Sequence, residues 1–135
     1  MSISGSFTLL IRSDRLNLDD ITNSIGLKPT GSKSKGESIS KALNQNMRDN
    51  LWQYQVKYDE SDNPNNVLDE FLSLLTTKSE FIQKASKEYE VYLTWFLQSD
   101  YAQIGVVLEP DVLKKLADLK LQFELHILSW GGVED

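Results

Sequence analysis

Residues 6–12 alternate, with Phe7, Leu9 and Ile11 on one face of a strand and the apolar Leu10 on the other, the pattern of a strand well inside a sheet. A second alternation sets Trp52, Tyr54, Val56 and Tyr58 against Gln53, Gln55 and Lys57, and predicts a half-buried strand. Residues 89–97 are apolar on both faces and predict a central strand. Residues 121–128 alternate again, with Leu121, Phe123, Leu125 and Ile127 opposite Gln122, Glu124 and His126. Between these runs the period changes to that of a helix. Leu18, Ile21 and Ile25 form one stripe behind the capping residue Asn17, with Asp19 and Asp20 at the positive end of the helix dipole. Val67, Leu68, Phe71, Leu72, Leu74 and Leu75 form a wider stripe, capped by Asn65 or Asn66, and a second helical piece over residues 79–87 carries Phe81, Ile82 and Ala85. Glu109, Pro110 and Asp111 open another helix, whose core face is Val112, Leu113, Leu116 and Leu119.

A turn near residues 98–101 followed by residues 103–108 reads as the second arm of a hairpin with residues 89–97. The expected order is β-α-β-α-β-β-α-β, which from the second strand onward is that of a ferredoxin-like split βαβ unit. The fold class is therefore α+β, a ferredoxin-like-related two-layer sandwich with helices on one face of a mainly antiparallel sheet. The chain reads as a single domain over residues 1–135, with no internal repeat, a long polar loop over 30–50 and a glycine-rich flexible tail over 129–135.

That loop follows the strongest punctuation in the chain. Gly26 can take the left-handed turn that stops a helix, Leu27 supplies the apolar seal, and Pro29 prevents the helix from resuming. A connection this long is usually functional or mobile.

Composition narrows the function classes. A chain of 135 residues with 40% hydrophobic and 25% charged residues is an ordinary globular domain. The absence of cysteine excludes disulfides, thiolate metal sites and cysteine nucleophiles. Fourteen basic against twenty acidic residues, a net charge of −6, argues against a nucleic-acid binder working through a broad basic face. No segment has the length and polarity of a membrane span or secretory signal, so the expectation is a cytoplasmic protein with no membrane partner.

The candidate constellations are few. Lys28, Lys33, Lys35 and Lys41 face only Glu37 between positions 28 and 41, a local reversal of the overall sign that suits an anion or an acidic partner. Gly31 and Gly36 invite comparison with a phosphate loop, but no Gly-Lys-Ser/Thr follows and no helix starts directly after them. Asp59, Ser61, Asn63, Asn65 and Glu70 approach a calcium-loop spacing, yet Pro64 stands where glycine must turn the chain, and a capping turn explains the same residues. His126 is the only histidine; with Glu124 it makes an acid-base couple without an evident nucleophile. Neither a metal nor a cofactor is expected. Trp52, Tyr54 and Trp95 read as core, whereas Trp130 in the tail reads as a contact residue.

Together, the opening SFTLLIRSDRLNLDDIT, the segment IGLKPTGSKSKG, the strand LWQYQVKY and the closing LEPDVLKKLADLKLQFELHIL resemble a bacterial domain family of unknown function, DUF4279. The motif positions are Gly26, Leu27, Pro29, Thr30, Lys35, Gly36 and the strand-leading Trp52. The resemblance implies a small cytoplasmic bacterial protein with no established catalytic residues. By analogy with small acidic bacterial proteins that serve as immunity partners of secreted toxins, the expected function is non-enzymatic. The chain would neutralise a cognate toxin, such as a basic nuclease domain, by direct binding, through Asp59, Glu60, Asp62, Trp130, Glu134 and Asp135. The alternative is a small-molecule or anion sensor using Lys28, Thr30, Lys33 and Lys35. A hydrolase would require Glu124 and His126 in a cleft beside a hydroxyl.

Overall fold

A computed structural model describes residues 3–101 and 103–129. Its elements are β1 (Ile3–Ser13), α1 (Leu18–Ile25), β2 (Gly31–Lys33), β3 (Ser38–Ser40), β4 (Gln45–Asn46), β5 (Asn50–Tyr58), α2 (Pro64–Thr76), α3 (Ser79–Glu88), β6 (Glu90–Ser99), α4 (Pro110–Leu119) and β7 (Gln122–Ser129). Five strands make one sheet in the order β2-β5-β1-β6-β7, and β3 pairs with β4 in a separate ribbon. All neighbours in the main sheet are antiparallel except β6 and β7, which run parallel. The expected α+β class with a mainly antiparallel sheet is what the chain adopts.

The alternation along each strand decides which face is covered. Phe7, Leu9 and Ile11 of β1 register with Val56, Tyr54 and Trp52 of β5 and with Trp95, Leu93 and Val91 of β6. Leu68, Phe71, Leu72 and Leu75 of α2 and Ile82 of α3 join them in one core. Phe7 stacks on Tyr58 at 5.4 Å and on Phe71 at 6.5 Å, and Trp95 Nε1 donates a buried hydrogen bond of 2.8 Å to Tyr58 Oη. Gly5 sits where this cluster meets the next strand. A Cβ there would run into the Phe96 carbonyl oxygen and lie 2.8 Å from Tyr58 Oη, so only glycine fits.

Helix ends follow local chemistry. Asn17 Oδ1 accepts from the Asp20 N–H, and Gly26 closes α1 at φ 73°. The cap of α2 is Asn63 rather than Asn65 or Asn66, because Pro64 takes the first helical position, where its missing N–H costs nothing. Asn65 serves another end. Its amide donates to the Val107 carbonyl and its Oδ1 accepts from the Glu109 N–H at 3.2 Å.

That clasp belongs to the main correction to the expected topology. Among the described residues, 103–108 form no strand, and β6 has no hairpin partner after it. Both sides of β6 are already occupied, by β1 and by β7, so a hairpin strand has no place beside it. The connection instead crosses through α4 and returns as the parallel β7, which needs a crossover of about this length. The polar stretch over 30–50 is also more regular than its sequence suggests, since β2 extends the main sheet and β3 and β4 form the ribbon.

Candidate functional site

All the alternating strands have a second face, and among the described residues no helix covers it. On that face the register builds three rows across the sheet: Gln53, Leu10, Tyr92 and Gln122; Gln55, Thr8, Thr94 and Glu124; Lys57, Ser6, Phe96 and His126. All of these residues except Lys57 and Gln122 line a shallow open groove of about 530 Å³. Ser6 is only 8% exposed although no second layer lies above it. The cover comes from neighbouring side chains. Gln55 Nε2 donates to Ser6 Oγ at 3.3 Å and to Thr8 Oγ1 at 3.2 Å, and Gln98 Nε2 donates to Ser4 Oγ at 3.0 Å.

At the far side of the groove, Gln122 Nε2 donates to Glu124 Oε1 at 2.7 Å, and Glu124 Oε2 lies 3.1 Å from His126 Nε2. The sequence pairing of Glu124 with His126 is thus real in space. Among the described residues, no serine or threonine hydroxyl hydrogen-bonds to either side chain. Arg12 closes one end of the face with a fork to Asp49, 3.0 and 3.3 Å, and the hydrogen bonds to Asp49 and then Tyr92 hold the guanidinium above its ordinary pKa.

The acidic turn closes the other end, where Ser4, Asp59, Glu60 and Ser61 border a further small groove. Asp59 Oδ1 accepts from the Ser61 N–H at 2.9 Å and from Ser61 Oγ at 2.5 Å, which together hold its carboxyl below the usual range. Asp62 Oδ2 accepts from the Asp59 N–H at 2.9 Å. The turn is therefore locked by its own acids while Asp59, Glu60 and Asp62 remain exposed. Trp130, Glu134 and Asp135 lie outside the described residues.

The basic segment is arranged differently from a pocket wall. Thr30 acts as a splice: its N–H donates to the Gln53 carbonyl at 2.9 Å and its Oγ1 accepts from the Gln55 N–H at 2.8 Å. Gly36 turns the chain at φ 90°, with its N–H on the Met47 carbonyl. Lys28, Lys33 and Lys35 are exposed, and the Lys35 N–H is held by Asn50 Oδ1 at 2.6 Å. Asn50 also donates from Nδ2 to the Leu16 carbonyl at 2.7 Å, tying the turn after β1 to the arm over residues 34–49 that carries β3 and β4. Asn50 went unnoticed in the sequence because both of its partners are backbone groups far along the chain. Trp52 is buried, with Nε1 donating to Thr22 Oγ1 at 3.0 Å.

Gly26, Thr30, Gly36 and Trp52 are thus joints of one structural unit that binds α1, the arm and β5 together. The sequence pattern of a domain of unknown function, DUF4279, matches residues 3–130 of the 135. The chain belongs to the DUF4279 family. No curated protein and no solved structure matches it. In this DUF4279 domain the family motif does structural work, and the open face of the sheet is left as the candidate site. A second groove, about 590 Å³, lies between α1 and α3, where Asp20, Glu80 and Glu88 mix with Lys78 and Lys84 around the apolar Phe81 and Tyr89. Among the described residues, no group of three or more His, Asp or Glu side chains is placed to hold a metal ion, and no helix is long and apolar enough to cross a membrane.

Proposed function

We propose that this DUF4279 domain is a non-enzymatic binding module that docks a protein partner on the open sheet face and the adjoining turn from Asp59 to Asp62. One observation carries the reading: on the uncovered face, around Leu10, Tyr92 and Phe96, polar side chains are already fixed by hydrogen bonds to one another, Gln55 to Ser6 and Thr8, and Gln122 to Glu124. Side chains ordered before binding lose less entropy on binding, which is the condition for a specific interface. A net charge of −6 and the exposed acids at one end of the face favour a basic partner. The partner we assign is a toxin domain, with this chain as its immunity protein.

The test is co-expression with proteins encoded beside it. The expected result is a stoichiometric complex with a neighbour that is toxic alone and harmless with this chain. Changing Asp59, Glu60 and Asp62 to Asn, Gln and Asn should then slow association about tenfold or more at low salt and flatten its salt dependence. Unchanged kinetics would remove the acidic turn from the interface, and the absence of any toxic neighbour would remove the immunity role.

A further inference from the structure

The two edges of the main sheet are finished in different ways. β2 is three residues long, ends at Lys33 and runs on into the arm, so it offers little to a new strand. β7 is eight residues long and registers with β6 from Gln122 to Ser129 without a shift. Among the described residues, no strand pairs on its other side. It contains no lysine, proline or bulge, the features that usually keep an open edge from pairing with another chain. The alternation that made residues 121–128 look like a half-buried strand is also only half satisfied. Phe123 packs on Trp95, but Leu125 is 39% exposed and Ile127 is 51% exposed.

We propose that the partner of this edge is β7 of a second copy, paired antiparallel about a two-fold axis at Leu125. Opposed residues in an antiparallel pair share a face, and a two-fold axis allows only a few registers. With the axis at Leu125, this residue meets its own copy and Phe123 meets Ile127, so the helix-covered face gains an unbroken apolar seam. On the other face Glu124 meets His126 of the second copy, so the Glu124 and His126 pair already 3.1 Å apart within one chain becomes an alternating cluster of four. The neighbouring registers lose this match. An axis at Glu124 sets two carboxylates directly opposite each other, and an axis at His126 does the same with two imidazoles. Among these three registers, the polar and the apolar pattern favour the same one.

Dimerisation extends the sheet from five strands to ten and sets two open faces side by side; it does not depend on the partner reading above.

Sedimentation of the whole chain over a concentration series tests it. The expected result is a monomer–dimer equilibrium with a midpoint of about 10 μM, and Leu125→Lys is monomeric at that concentration. Glu124→Lys weakens association about tenfold, since each of the two pairs per dimer loses the carboxylate that faces the imidazole, and adding His126→Glu restores it by setting Lys against Glu. Because the chain has no cysteine, Leu125→Cys provides a second reading that needs no loss of fold. It cross-links to its own copy on oxidation far faster than Leu43→Cys on the exposed arm. A wild-type chain that stays monomeric to about 1 mM overturns the proposal. So does a dimer that survives Leu125→Lys, or one that ignores the Glu124 and His126 exchange.

Discussion

Two faces of one sheet, made from alternate residues of the same strands, solve burial by different means. Phe7 is 0% exposed because helices and aromatic rings close over it, whereas its neighbour Ser6 is 8% exposed with no layer above it. The covered face excludes water with apolar area and gives its two buried indoles one polar partner each, Tyr58 for Trp95 and Thr22 for Trp52. The open face hides its hydroxyls beneath amides that hydrogen-bond to them. Burial on the first face is a source of stability. On the second it is a source of order, because each net hydrogen bond contributes only about 1 kcal/mol.

The contrast breaks most sharply at Gly5. Gly5→Val should abolish cooperative folding or cost more than about 4 kcal/mol in urea denaturation, since the obstacle to its side chain is backbone. Trp95→Ala, on the same face, should cost about 3–5 kcal/mol by the same measurement. Tyr58→Phe is smaller, about 1–3 kcal/mol, because it leaves the Trp95 N–H without an acceptor. It also sharpens the comparison through pH. Burial raises the Tyr58 pKa, so the folded state keeps its proton where the unfolded chain, with a tyrosine pKa of about 10, has lost it. Stability therefore falls as pH rises above about 10, and in Tyr58→Phe that part of the fall should disappear from the alkaline denaturation curve. Smallest of all in stability is Gln55→Ala, below about 1 kcal/mol, which should nonetheless weaken a partner docked on the open face. If Gln55→Ala destabilised the fold as much as Trp95→Ala, the two faces would not differ as described.

Local elements were legible where their cause is local. Asn17 and Gly26 bracket α1 by capping chemistry, and Phe7, Leu9 and Ile11 declare β1 by alternation. Pairing was harder to read. Nothing in residues 103–108 reveals that β6 will already have a neighbour on each side, and Val106 and Val107 carry strand propensity without a free side of β6 to join. The arm escaped notice because strands of two or three residues have no period. The acids from Asp59 to Asp62 were visible as a charged turn, but their role in locking it depends on Ser61. Gln55 looked like an ordinary solvent-facing residue; its hydroxyl partners lie 47 and 49 positions away, beyond any local pattern.

The place of β1 between β5 and β6 has a consequence in time. β1 precedes both of its partners in the chain, and its register reaches from Ile3 to Ser99. The middle of the sheet thus waits for a strand that lies beyond two helices, and until β6 arrives one flank of β1 stays open with its apolar residues uncovered. Contacts of such long sequence separation slow folding relative to a helical bundle of equal size. They also make a chain halted before β6 prone to join with its neighbours. For this domain, the interval between completing β5 and completing β6 is the vulnerable period of its life.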